Sequence, residues 1–270
     1  MFAKSEIKYL VIVILVMTLA LAFNDGQDTF AFGFWLQNFV AVLLIVTFSF
    51  LLHQLAHKIV ARMNGFDTEF TWWGLQSKYI SKKSFKSPFR TARAKNKEKS
   101  FPRKIRIFGK EVVIDSFPIG IIISLIVMLF SNGLVWFLAI GQYNLLLKKS
   151  SRLGRRYIHV TDYEEAKIAL AGPMTHVVIL MVFSFFNKNG VFDQLIFINA
   201  LLALFYMLPI HKLDGTKVLF GSRLLWVTSA VFMIFMVVLV YNISSIPMII
   251  ISMVATLIVA ALYYYFTFYR

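Results

Sequence analysis

The sequence predicts an all-α protein, a polytopic transmembrane helix bundle with six full spans plus a short or re-entrant hairpin, and three observations carry this prediction. The chain of 270 residues is 59% hydrophobic and 15% charged, against about 25% charged in ordinary soluble domains. Its mean hydropathy is +0.73. Its apolar residues are gathered into runs near the length of about 20 residues that a bilayer core requires. So much apolar surface cannot be hidden inside one globule of this size, which excludes a soluble enzyme, a disordered chain and a fibrous repeat.

The six full-length apolar runs are distributed along the whole chain. They cover residues 9–23, 34–61, 166–186, 195–210, 224–241 and 247–268, of which the first and fourth are short. A further apolar stretch, 117–147, is broken by the turn-type tripeptide Ser131-Asn132-Gly133, which leaves two arms too short for a comfortable span. This stretch therefore predicts the hairpin. The first run ends in Ala20-Leu21-Ala22, a pattern that resembles a signal-peptide cleavage site, although we expect a retained helix.

The basic residues predict which loops face the cytoplasm. Segment 78–110 holds 13 Lys and Arg against one acidic residue, and segment 148–156 adds five more basic residues. Loops rich in Lys and Arg remain inside, so both segments are expected in the cytoplasm. Segments 24–33, 187–194 and 242–246 hold one basic residue among them and are expected to face outward. One orientation satisfies every loop, and it predicts a multi-pass protein, most consistent with a prokaryotic cell membrane.

Residues 1–270 are interpreted as a single membrane-embedded domain, in which 66–116 form a basic cytoplasmic or interfacial insertion. The net charge of +15 is attributed to Lys and Arg retained on the cytoplasmic side, so no nucleic-acid partner is expected. Three phenylalanines, Phe85, Phe89 and Phe101, are interleaved with the basic residues of the insertion, a pattern that suits contact with anionic membrane lipid. A solvated loop that acts only as a topology signal is an equally good interpretation.

Any metal site in this chain must be built from His, Asp or Glu. Cysteine is absent, which excludes a disulfide framework, a thiolate nucleophile, an iron–sulfur centre and a zinc site with sulfur ligands. Four histidines lie in or at the edge of predicted spans, where an ionisable group costs several kcal/mol unless it is paired or solvated. They are His53, His57, His176 and His211.

His53 and His57 are the strongest candidates for metal ligands. Four residues along a helix correspond to about 40° around its axis, so the two imidazoles lie one turn apart on one face, as two ligands of one metal require. A polar helix face that bonds a neighbouring helix is the alternative. Gln54 lies about 60° from His57 in the same projection, close enough to reach a water molecule at such a metal.

Asp214 is the best candidate for a third ligand, because a catalytic zinc usually takes three protein ligands. It lies at the inner end of a predicted span that runs in the same direction as the span of His53 and His57. Charge counting therefore places all three residues at a similar depth near the cytoplasmic side. An ordinary helix-ending turn at Asp214-Gly215 is the alternative.

The segment His53-Gln54-Leu55-Ala56-His57 resembles the HExxH zinc motif, with Gln where Glu is expected. Together with Ala171-Gly172-Pro173 and Leu213-Asp214-Gly215, it resembles the site-2 protease family, and its archaeal members most. These are intramembrane zinc metalloproteases that cut transmembrane helices of substrate proteins in regulated intramembrane proteolysis. The resemblance covers residues 34–215. It implies that His53, His57 and Asp214 bind zinc, that position 54 holds the catalytic general base, and that the partner is a transmembrane protein.

Gln54 is the most consequential departure from the family pattern. A carboxamide cannot take a proton, and loss of a general base typically costs about 10² to 10⁴ in rate, so the chain as written is expected to be nearly inactive. An engineered Glu-to-Gln change and a natural pseudoprotease that serves as a membrane scaffold both remain open. Tyr206, His211 and His176 also replace residues common in the family, and their roles stay open. An ion or proton transporter is a further alternative.

Overall fold

The computed structural model describes residues 2–74, 103–107, 110–114, 117–147, 160–210 and 213–268. Within these ranges the protein is mostly helical. The helices are α1 (Lys4–Ala22), α2 (Phe32–Met63), α3 (Ile119–Phe130), α4 (Asp162–Phe186), α5 (Asp193–Met207), α6 (Asp214–Gly221), α7 (Arg223–Leu239) and α8 (Ser245–Phe268). The strands are β1 (Phe66–Trp72), β2 (Arg103–Ile107), β3 (Lys110–Ile114) and β4 (Gly141–Leu147).

Three of the described helices, α2, α4 and α8, are long and apolar enough to cross a membrane. Helices α5 and α7 are apolar but contain only 15 and 17 residues, so the six full spans predicted from hydropathy are not shown. Helix α5 ends at Met207 because Leu208 adopts an extended backbone conformation immediately before Pro209. A residue that precedes proline is disfavoured in helical conformation, and hydropathy alone does not register this stop.

The stretch 117–147 contains the predicted turn but only one helical arm. Helix α3 spans 12 residues and ends in a turn in which Asn132 and Gly133 both have positive φ. The second arm does not form a helix; it leads into β4. Strand β4 pairs antiparallel with β1, with Phe66 opposite Leu147 and Trp72 opposite Gly141. Since β1 follows α2 directly, this pairing brings β4 beside the end of α2. The resulting small sheet lies next to the buried histidines.

The buried core surrounds α2 and α4. One cluster joins α1 to α2 and α5 through side chains such as Met17, Val46 and Leu202. A second cluster joins α4, α5 and α7 through side chains such as Leu180, Ala203 and Met233. Helix α8 packs mainly on α7, with a smaller contact to α4, and presents large apolar side chains outward, as expected of a surface that faces lipid. Strands β2 and β3 form a separate antiparallel pair within the predicted insertion 66–116.

A buried ion pair connects α1, α2 and β1. The Glu6 carboxylate accepts hydrogen bonds from Lys58 Nζ at 2.8 Å and from the Phe70 backbone N–H at 2.9 Å. Lys58 Nζ also donates to the Thr68 carbonyl at 2.6 Å. Glu6 is 1% exposed and Lys58 is 4% exposed. Because Lys58 follows His57 directly, this ion pair helps to fix the part of α2 that carries the histidines.

Glu6→Gln is expected to destabilise the folded protein by about 3 kcal/mol, because removing one partner of a buried ion pair leaves the other charge uncompensated. The expected cost is at the low end of the usual range, since Asp67 lies 3.9 Å from Lys58 Nζ and replaces part of the lost charge. Thermal unfolding in detergent micelles measures the loss. Lys8→Gln, at an exposed position on the same helix, is the matched control and should stay within about 0.5 kcal/mol. Equal unfolding temperatures for the two variants would contradict the assignment.

Candidate metal centre

Three side chains predicted to bind one metal converge in the interior. The Nε2 atoms of His53 and His57 are 3.0 Å apart, and each lies 3.3 Å from Oδ2 of Asp214. All three residues are buried, with at most 5% of their surface exposed. Helix α2 supplies both imidazoles from successive turns, and the first residue of α6 supplies the carboxylate. His57 and Asp214 are 157 positions apart in the sequence, and they converge because α4 packs against both α2 and α6.

The donor set fits zinc in both chemistry and spacing. Two imidazoles and one carboxylate are the protein ligands of a well-known class of catalytic zinc site. Bonds of about 2.0–2.2 Å place neighbouring ligand atoms of a tetrahedral zinc about 3.3–3.5 Å apart. The observed separations of 3.0 to 3.3 Å are close to these values. The three residues therefore suit a divalent cation of this size without large rearrangement.

The orientation of the His57 ring is set by the backbone of α4. Its Nδ1 lies 2.7 Å from the Ile168 carbonyl oxygen, which can only accept a hydrogen bond, so Nδ1 carries the proton. The Nε2 atom of neutral His57 then presents its lone pair toward Asp214. The ring of Tyr143 packs on His57 with the ring centroids 4.4 Å apart. Hydrogen bonding and packing together hold one rotamer of a ligand, as is usual for histidines that bind metal.

Gly172 allows α4 to approach the two imidazoles. A Cβ at this position would overlap Nε2 of His57 and the ring of His53. Glycine is therefore required here by the close approach of a helix backbone to the rings. Gly215 has a similar role at the start of α6, where a Cβ would overlap the carbonyl group of Met207 at the end of α5. These contacts give a structural reason for glycine in both short motifs identified in the sequence.

Two ionisable side chains, Lys217 and Tyr143, lie close enough to Asp214 to feel its charge. Lys217 lies one turn further along α6, with Nζ 3.0 Å from the Tyr143 carbonyl and 3.4 Å from the centre of the Tyr143 ring. Burial lowers the pKa of Lys217, while Asp214 and Glu165 oppose that shift. Burial, together with the charges of the same two carboxylates, raises the pKa of Tyr143 well above its usual value.

Three other residues identified in the sequence, Gln54, His176 and Tyr206, lie near His53 in the structure. Gln54 is buried at 5% exposure on α2 beside His53. His176 lies within hydrogen-bonding distance of His53, and Tyr206 packs on the His53 ring with the centroids 4.6 Å apart. His211 lies outside the described residues.

Sequence reasoning missed several residues around the centre, including Asn199, Tyr143 and Lys217. Asn199 carried a usable signal, because an amide in the middle of an apolar run requires a buried partner. Tyr143 carried no such signal in the sequence, since its contact with His57 depends on the pairing of β4 with β1.

The chain is similar to an archaeal protein from Methanocaldococcus jannaschii that is named "putative zinc metalloprotease". The two are 40% identical over 78 residues, which cover 25% of this chain and 40% of that protein. No protein-family model matches the chain, and no solved structure matches it. The chain therefore spans less than half of the relative that it matches, and the three buried ligand candidates are consistent with a metal site of the kind that the relative's name indicates.

Proposed function

We propose that this chain is a zinc metalloendopeptidase of the site-2 protease type, which hydrolyses peptide bonds in transmembrane helices of substrate proteins. The observation that carries the proposal is the convergence of His53, His57 and Asp214, buried beside two helices, α2 and α4, that are long enough to span a membrane. The name of the archaeal relative supports a zinc peptidase. The proposed setting is a prokaryotic cell membrane, with the site toward the cytoplasm.

In this proposal His53, His57 and Asp214 would hold zinc, which when bound activates water for attack and polarises the carbonyl that is cleaved. The two imidazoles keep fixed orientations, His57 through the Ile168 carbonyl. The Asp214 carboxylate supplies the negative charge of the ligand set. The surrounding rings of Tyr143 and Tyr206 exclude bulk water from one side of the imidazoles. This environment strengthens every electrostatic interaction within the site.

Gln54 limits what this chain can do chemically. A carboxylate at position 54 would accept the proton of the attacking water, whereas a carboxamide can only donate and accept hydrogen bonds. The chain with Gln54 is therefore proposed to bind substrate and to cleave it very slowly. Gln54 also favours a second candidate function, a pseudoprotease that acts as a membrane scaffold and retains the metal site. The two functions share the site and differ only in turnover.

The proposed partners are a transmembrane protein and membrane lipid. A helical substrate must be partly unwound before cleavage, because its carbonyl groups are engaged in hydrogen bonds to residues four positions later. The basic segment 78–110 is proposed to contact anionic headgroups, to which each Lys or Arg near the surface contributes about 1 kcal/mol.

The purified 270-residue chain is expected to bind one zinc ion, and Asp214→Asn should weaken this binding more than about 100-fold because a ligand is lost. Competition with a chromophoric chelator measures the affinity, and metal analysis gives the stoichiometry. Asp28→Asn, at an exposed position remote from the site, is the matched control and should bind zinc like the unaltered chain. Folded protein that binds no zinc would contradict the proposal and favour a transporter.

A further inference from the structure

We propose that Asn199 and His176 are positioning residues that select the tautomer of His53, so that its Nε2 presents a lone pair to the metal. The zinc part of this inference rests on the proposed function, whereas the tautomer does not. The basis is a continuous chain of buried hydrogen bonds that begins on α5, crosses α4 and ends at His53 on α2. Each step of this chain fixes the next.

The first step fixes the orientation of the Asn199 amide. Its Nδ2 lies 2.9 Å from the Leu195 carbonyl oxygen and 2.9 Å from Ser49 Oγ. A backbone carbonyl can only accept, so the amide NH₂ group must be on that side. The Asn199 side-chain oxygen Oδ1 is therefore on the opposite side, toward His176. Asn199 is fully buried, so water does not compete for these groups.

The second step fixes the tautomer of His176. Its Nδ1 lies 2.9 Å from Asn199 Oδ1, an oxygen that can only accept, so Nδ1 carries a proton. His176 is fully buried, and its two ring nitrogens contact an amide and an imidazole, neither of which is a carboxylate that would stabilise an imidazolium. The ring is therefore neutral, and its Nε2 is an acceptor.

The third step fixes the tautomer of His53. His53 Nδ1 lies 3.0 Å from Nε2 of His176 and must donate to it. A neutral His53 ring with its proton on Nδ1 has a free lone pair on Nε2, the atom 3.3 Å from Asp214. His57 reaches the same state through the Ile168 carbonyl. Two imidazole lone pairs and one carboxylate oxygen then face one another, an arrangement that a cation stabilises.

The two imidazoles differ in how their tautomers are secured. The His57 partner is a backbone carbonyl, which side-chain substitution cannot remove. The His53 partner is a side chain that depends on a second side chain, so this half of the site can be altered without changing any ligand. Loss of such outer partners typically lowers metal affinity by about 10–100-fold.

The test uses the 270-residue chain in detergent micelles, with ¹⁵N-labelled histidine and metal-free conditions. The His53 signals are assigned by their loss in His53→Asn. In the unaltered chain we expect Nδ1 of His53 to be protonated and Nε2 to be unprotonated. Asn199→Leu and His176→Phe should each move proton density to Nε2 of His53. Chelator competition should show that each variant binds zinc about 10–100-fold more weakly.

Ser49→Ala is the matched control, because it removes the other hydrogen bond of Asn199 Nδ2 and leaves the Leu195 anchor in place. It should keep both the tautomer and the zinc affinity. A proton on Nε2 of His53 in the unaltered chain would overturn the inference, and this measurement needs only His53→Asn, the variant used for assignment, to fold. Equal losses in Ser49→Ala and Asn199→Leu would also overturn it. If the unaltered chain shows the expected tautomer but binds no zinc, the proposed function fails while the hydrogen-bond chain stands.

Discussion

Gln54→Glu is expected to convert the protein into an active peptidase and to raise cleavage of a membrane-spanning test peptide by about 10²- to 10⁴-fold. Position 54 follows His53 on α2, is 5% exposed, and lies at the helical angle from which a side chain reaches the metal centre. A carboxylate there supplies the proton acceptor that the carboxamide lacks. Incubation of purified protein and peptide in micelles, followed by mass spectrometry of the products, measures the rate and the cleaved bond.

The double variant Gln54→Glu with Asp214→Asn is the control for this experiment. It keeps the new carboxylate and removes a proposed zinc ligand, so its activity should fall to the level of the unaltered chain. If Gln54→Glu binds zinc yet cleaves no membrane-spanning peptide, the scaffold function would replace the peptidase function. Equal activity in the single and double variants would show that the cleavage comes from another source.

Gly172→Ala is expected to abolish zinc binding, although alanine is preferred over glycine in a helix by about 1 kcal/mol. The added Cβ would occupy the space of the His57 and His53 rings. These rings cannot easily move away, because His57 bonds the Ile168 carbonyl and His53 bonds His176. A shift of either ring would move its Nε2 atom away from the Nε2 atom of the other ring, which now lies about 3 Å away.

Chelator competition measures the loss of zinc binding, and circular dichroism establishes that the Gly172→Ala variant remains helical. Gly33→Ala is the matched control, because Gly33 lies in α2 with no other atom within 4 Å of an added Cβ. It should bind zinc like the unaltered chain. Retention of normal zinc affinity by Gly172→Ala would mean that the metal lies elsewhere.

Helical periodicity was sufficient to place His53 and His57 on one face, because four residues are close to one turn of any α-helix. The charges of the loops also predicted that Asp214 lies at the same membrane depth as His53 and His57, so their proximity was anticipated. Hydropathy could not distinguish a helix from a strand within 117–147, because a short apolar run is compatible with either element. Strand β4 forms because it pairs with β1, and β1 lies about 70 residues earlier in the sequence.

The hydrogen-bond chain of His53, His176 and Asn199 could not be derived from sequence. His53 and His176 are 123 positions apart, and their contact depends on how α2 and α4 pack. The pairing of Glu6 with Lys58 is similar, since the two residues are separated by 52 positions and belong to different helices. Local patterns predict local geometry, whereas such pairs depend on tertiary packing.

The ion pair of Glu6 has a consequence for biogenesis. During synthesis Glu6 is added 52 positions before Lys58 and 64 positions before Phe70, so its carboxylate lacks both of these partners until the chain has grown through β1. An unpaired carboxylate is expensive in apolar surroundings. The first helix therefore cannot dock in its final position until the strand that follows α2 has been made.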